Sequence, residues 1–154
     1  MVDDCASQEL ATESVGAVVH AMTLVGRRWR ARLNERLKVI GQTDARFAAL
    51  AEIAAEPEGL VQRELSRRLG VEEPTIVRLV DALEAQGCVE RVVHGGDRRA
   101  KIVRARPAAA SVLDLARAIM TDVQGDLFKG MDPRDVAGCA RVLDQLARKL
   151  ERPE

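Results

Sequence analysis

Arg78, Arg98 and Arg99 are the side chains whose type and surroundings best suit a definite chemistry. A guanidinium is a planar fork of donors that pairs bidentately with guanine O6 and N7 or with a phosphate. Arg78 lies in a segment where Ile76, Val80 and Leu83 recur at helical spacing. If those three face inward, then Pro74, Thr75, Arg78 and, a turn later, Asp81 lie on the opposite face. Thr75 either meets a phosphate or a thymine methyl group, or spends its hydroxyl on the helix terminus. Arg98 and Arg99 follow the turn sequence His94-Gly95-Gly96-Asp97, which places two guanidinium groups at or just beyond a tip. A minor groove strengthens negative potential, so an arginine inserted there gains affinity. Asp97 is expected to pair with Arg99 and aim it.

Other chemistries lack their residues. Cys5, Cys88 and Cys139 show no metal-like spacing, and His20 and His94 are the only histidines available to help them. No Gly-rich phosphate loop and no nucleophile with a neighbouring base is recognisable, so neither catalytic residues, metal nor cofactor is expected. Cys88 and Cys139 sit among apolar neighbours and are expected in the core, and Cys5 is expected to be an inert thiol. Aromatic residues make up only 2% of the chain, which argues against a base-stacking single-strand binder. Hydrophobic residues at 47% and charged residues at 31% fit an ordinary globular chain. With Asp3 and Asp4 at its start and no apolar run long enough to span a bilayer, the chain reads as cytoplasmic, without a membrane.

The formal charge is zero, 24 basic against 24 acidic residues, which alone argues against nucleic acid as a partner. Its distribution argues otherwise. Residues 1–26 carry −4, residues 27–38 carry +5 and residues 39–59 carry −3. Residues 60–106 carry +3, and the rest of the chain −1. Within the basic centre, residues 89–106 alone reach +4, a strip suited to face phosphate.

The elements that must position these residues follow from periodicity. Val15, Val18, Met22, Val25, Trp29, Leu33 and Leu37 form one stripe of a long helix from about Gln8 to Ile40. Thr43 or Asp44 caps a second helix carrying Phe47, Leu50, Ile53 and Ala54, which stops near Pro57 and Gly59. A short helix over 61–69 buries Val61, Leu65 and Leu69, and Gly70 supplies its left-handed end. Pro74 opens the next helix and Gly87 closes it, so two short helices joined through Leu69-Gly70-Val71 form a helix-turn-helix. The period then changes to two over Cys88–Val93, and Lys101–Arg104 returns as the second strand of a basic hairpin, a wing. One helix after Pro107 carries Val112, Leu115, Ile119, Val123 and Leu127, and another from Pro133 carries Val136, Ala140, Leu143, Leu146, Ala147 and Leu150. Their leftover apolar faces imply a partner, most simply a second copy related by a two-fold axis; the alternative is that the terminal helices pack on one another within one chain.

The expected fold is mainly α with a small β-hairpin: a winged helix-turn-helix flanked by N- and C-terminal dimerisation helices. Residues 1–40 form the first dimerisation helix, 41–106 the winged region and 107–154 the last two helices, in one integrated domain. Residues from about Val61 to Pro107 resemble the winged helix of the MarR family of bacterial regulators, in particular its SlyA branch. The resemblance is carried by Leu65-Ser66-Arg67-Arg68-Leu69-Gly70-Val71, Pro74-Thr75-Ile76-Val77-Arg78, Leu83-Glu84-Ala85-Gln86-Gly87 and, most specifically, Asp97-Arg98-Arg99-Ala100-Lys101. Arg36-Leu37-Lys38 leading to Gln42-Thr43 extends it over nearly the whole chain. Glu72 stands where many members have Ser, and Ala105-Arg106 replaces the usual Leu-Thr; Arg106 either adds a phosphate contact or is solvated.

The resemblance implies a homodimer on a pseudo-palindromic operator in double-stranded DNA. It assigns base contacts to the helix holding Arg78, and minor-groove contact to Arg99, oriented by Asp97; Pro74, Thr75, Arg98 and Lys101 are expected to contact DNA beside them. It also implies repression relieved by a small aromatic carboxylate or phenolic effector. The residues matching that effector site are Arg28, Trp29, Arg32, Gln42, Thr43, Arg46 and Phe47; Trp29 is alternatively core, and the arginines alternatively serve dimer salt bridges. The competing function is a winged-helix protein-interaction module without sequence-specific DNA binding.

Overall fold

A computed structural model describes residues 2–93 and 101–150, and the side chains within 14–92 and 102–150. The first helix, α1 (Val2–Leu37), is followed by a single 3-10 turn, Lys38–Ile40, that Gly41 ends in the left-handed region. The expected helix over Gln8–Ile40 therefore tightens in its last turn. Thr43, in extended conformation, caps α2 (Asp44–Ala54) by accepting the Arg46 N–H.

A two-residue strand, β1 (Leu60–Val61), precedes α3 (Gln62–Leu69) and α4 (Glu73–Ala85). The hairpin strands are β2 (Val89–Val93) and β3 (Lys101–Ala105). The sheet is antiparallel in the order β1-β3-β2, so the expected hairpin gains a third strand, with Leu60 opposite Val103 and Val61 opposite Ile102. Val61, expected to be buried by a helix, is instead a strand residue with an exposed side chain. Gly59 makes this pairing possible. Its φ is 91°, and a Cβ there would lie 2.2 Å from Ile102 Cγ2.

The chain divides into two compact units, Met1–Met120 and Thr121–Glu154. In the first, Leu50, Ile53, Leu65, Ile76, Val80, Leu83, Val89 and Val103 form the core of the winged region, with Cys88 buried among them as expected. A second cluster joins Leu33 and Leu37 of α1 to Ala116 of α5 (Ala108–Phe128), with Trp29, Phe47 and Ile119 against it.

On α5 the buried positions are Ala109, Leu113, Ala116 and Val123, whereas Leu115 is 54% exposed and Leu127 is also exposed. The expected stripe is kept in part: Val123 is buried and Val112 and Ile119 pack against the core clusters, whereas Leu115 and Leu127 are exposed and the small Ala109 and Ala116 are buried in addition. In the second unit, α6 (Pro133–Leu150) contains no buried residue, and Cys139, expected in the core, is exposed. No helix among the described residues is long and apolar enough to cross a membrane.

Candidate nucleic-acid interface

The turn between α3 and α4 is closed by its own backbone. Gly70, at φ 63°, donates to Arg67 O, Val71 donates to Ser66 O at 3.2 Å, and Ser66 Oγ donates back to Val71 O. This is the left-handed helix ending expected of Gly70. Glu72 is the N-cap of α4 through its backbone only: its carbonyl accepts from Thr75 at 3.0 Å, while its side chain makes no capping bond. Pro74 sits in the first turn, where its missing N–H costs nothing.

Ile76, Val80 and Leu83 are fully buried, and Pro74, Thr75 and Arg78 are exposed. The outward face expected from periodicity is therefore the one observed. Among the described residues Arg78 has no ion pair or side-chain hydrogen bond. Asp81, on the outward side, accepts from Arg91 of β2.

The basic excess of residues 60–106 separates into engaged and unengaged groups. Arg67 pairs with Glu64 at 2.7 Å, and Arg68 reaches Glu52, Glu56 and Glu64 at once. Hydrogen bonds from Arg67 and then Arg68 hold the Glu64 carboxyl down at about 2, and both arginines are raised in turn by Glu64. Arg104 lies opposite Glu90 in the hairpin register and pairs with it at 2.7 Å, which lowers the Glu90 carboxyl.

Arg91 is taken by Asp81 and Glu84. The guanidinium groups of this segment without a side-chain hydrogen bond or ion pair, among the described residues, are Arg63, Arg78 and Arg106, of which Arg106 lies near enough to Glu90 to help lower its carboxyl. Arg63 lines a shallow groove with Val61, Glu64, Ser66, Arg67 and Glu73, beside the start of α4. Nothing in the sequence pattern marks it, because one arginine in a charged helix is distinguished only by which acids its neighbours have engaged.

The wing strands pair from Val89 with Ala105 to Val93 with Lys101, so residues 94–100 join the strand ends. Asp97, Arg98 and Arg99 lie outside the described residues, as does the side chain of Lys101.

The residues matched to an effector site fall into three settings. Trp29 and Phe47 pack with Leu33 and Leu37. Gln42, Thr43 and Arg46 are engaged locally: Arg46 Nη1 donates to Gly41 O at 2.9 Å, Thr43 caps α2, and Gln42 Nε2 donates to Gln86 Oε1 at 2.6 Å. Arg28 and Arg32 lie exposed on α1. Gln86, marked in the sequence only as part of the Leu83–Gly87 motif, is thus the link between this loop and the end of α4.

A family model described as MarR family matches residues 40–100. The crystal structure of the transcriptional regulator PA3341 is 36% identical, covers 87% of this chain and 98% of its own, and superposes with a TM-score of 0.72. A mutant MarR from E. coli, complexed with operator DNA, is 25% identical over 86% of this chain and 93% of its own, with a TM-score of 0.73. CouR from Rhodococcus jostii RHA1, bound to p-coumaroyl-CoA, is 27% identical over 84% of this chain and 91% of its own, with a TM-score of 0.71.

Proposed function

The chain belongs to the MarR family of transcriptional regulators, and from that premise we propose that it is a homodimeric, non-enzymatic, cytoplasmic repressor of the SlyA-like branch. The observation that carries the DNA-reading part is Arg78: exposed, unpaired among the described residues, and set opposite the buried Ile76, Val80 and Leu83. In this reading α4 enters the major groove with Pro74, Thr75 and Arg78 toward the bases. Arg98 and Arg99 of the wing reach the minor groove, Asp97 aims Arg99, and Lys101 meets the backbone. Residues 41–106 act as the DNA-binding region, and 1–40 and 107–154 as the dimerisation helices.

Dimerisation is supported by apolar residues that the single chain leaves exposed, Val15, Val18, Met22 and Val25 on α1, Leu115 on α5 and Leu143 on α6. A two-fold dimer sets its recognition helices about 34 Å apart, on successive major grooves of a pseudo-palindromic operator. The effector in this reading is a small aromatic carboxylate or phenolic compound at Arg28, Trp29, Arg32, Gln42, Thr43, Arg46 and Phe47. The p-coumaroyl-CoA bound to CouR supports an aromatic acyl ligand. Such a ligand acts only by binding the DNA-incompetent arrangement better than the competent one.

Gel-shift with the chain's own upstream region tests the reading. Binding that weakens steeply with salt and is lost in Arg78→Ala supports it, because phosphate contacts release counterions. Binding flat across salt, or none, favours a protein-contact module. Aromatic carboxylates added to the bound complex release DNA if the effector part is right, and leave it bound if it is wrong.

A further inference from the structure

Alternation along β2 puts Val89 and Arg91 on one face and Glu90 on the other. Val89 is buried in the core, and Arg91 stands opposite the fully buried Val103 in the sheet register. A guanidinium is thereby placed on the inward side of the sheet, with its side chain 18% exposed. A charge in that position requires partners. Two acids one turn apart on α4 supply them: Nη2 of Arg91 donates to Asp81 Oδ1 at 2.5 Å, Nη1 donates to Glu84 Oε2, and the Arg91 backbone N–H donates to Glu84 Oε1 at 3.2 Å. Three bonds from one residue thus tie the strand that leads into the wing to the helix that carries Arg78. A planar fork held on two carboxylates fixes direction as well as distance, which a lysine cannot do.

We propose that Arg91 is a positioning residue for DNA reading, holding the wing and the recognition helix at one fixed spacing so that the major-groove and minor-groove contacts are made together. The inference rests on the DNA-binding reading above. It assigns Asp81 and Glu84, two acids on the DNA-binding region, a role in raising DNA affinity despite their charge.

The test compares the full-length protein with Asp81→Asn/Glu84→Gln, Arg91→Gln and Arg91→Lys on the operator fragment the unaltered protein binds, by titration, hydroxyl-radical footprinting and thermal melting. Removing two negative charges should strengthen DNA binding if electrostatics alone acts. The clamp predicts the opposite sign: the double variant binds about tenfold more weakly and loses protection under the wing while keeping it under α4. Arg91→Gln behaves likewise, and Arg91→Lys recovers only part of the loss. A double variant that melts normally and binds as tightly as the parent, or more tightly, overturns the proposal, as does uniform loss of protection across the site. Failure of the unaltered protein to bind DNA overturns the functional reading, and this inference with it.

Discussion

The side-chain amides of Gln42 and Gln86 meet head to head, Gln42 Nε2 donating to Gln86 Oε1 at 2.6 Å while Gln86 Nε2 donates to Gly41 O at 2.9 Å. The second bond fixes the orientation of the first, because Gln86 must present its oxygen to Gln42 once its nitrogen is used. Gln42 is only 2% exposed. The loop before α2 is thereby fastened to the C-cap of α4 through a polar contact that is buried on the Gln42 side, where mismatched partners are costly.

Gln86→Ala therefore leaves the buried Gln42 amide without its acceptor. The expected cost is about 1–3 kcal/mol of unfolding free energy. Urea denaturation of the two proteins measures it. Gln42→Leu/Gln86→Leu, which removes both partners together with the buried Gln42 Oε1 that has no hydrogen-bond partner among the described residues, should cost less than the single change; a larger cost would overturn this account.

Two glycines with similar backbone angles should differ in their response to alanine. Gly59 and Gly70 have φ of 91° and 63°, but an added Cβ at Gly70 meets nothing within 4 Å, whereas at Gly59 it runs into Ile102 and Val103. Gly70→Ala should cost about 1–2 kcal/mol, the penalty of the left-handed conformation. Gly59→Ala should cost more, since the β1–β3 pairing must also move apart. Equal midpoint shifts in denaturant would contradict this account.

Acid titrates one of the ion-pair networks. The Glu64 carboxyl is held at about 2 against an ordinary value of 4.5, chiefly by the hydrogen bonds from Arg67 and Arg68. Its folded value is depressed, so its contribution is complete above the ordinary value and is lost as pH falls toward about 2. Melting temperatures of the parent and Glu64→Gln should therefore differ by a constant amount near neutrality and converge below about pH 4. A difference that persists unchanged into strong acid would assign the effect to packing.

Arg78 and Arg63 should separate base reading from phosphate binding. Arg78→Ala is expected to cost about 1–3 kcal/mol on the preferred site and much less on mutated sites. Arg63→Ala should weaken all sequences alike and lower the salt slope by about one. Titrations on two sequences at several salt concentrations distinguish them, and an Arg63→Ala effect confined to one sequence would reverse its assignment.

The helix-turn-helix was legible because each of its signals is local. Gly70 ends α3 in the left-handed region, Pro74 starts α4, and the three-to-four spacing of Ile76, Val80 and Leu83 picks out the buried face. What escaped the reading depends on residues distant in the chain. Leu60-Val61 is too short to show a period, and is a strand only because β3 pairs with it. On α5 Val112, Ile119 and Val123 of the apolar stripe are drawn in, but Leu115 is exposed while Ala109 and Ala116 are buried, because the elements packed on the helix, and not hydrophobicity alone, select the covered positions. Arg91 and Arg78 are alike in sequence. Only the fold reveals that one is held by two carboxylates while the other has none among the described residues.

The pairing of Leu60 with Val103 has a kinetic consequence. α3, the turn, α4 and β2 all lie in the stretch of chain enclosed by that contact, so the helix-turn-helix is a loop clasped at its base. Closing so long a loop carries an entropic cost that is recovered only once the enclosed helices have packed. Folding should then proceed from the inside out: the local helices assemble first, the β1–β3 clasp closes last, and a nascent chain cannot complete this module until β3 has left the ribosome.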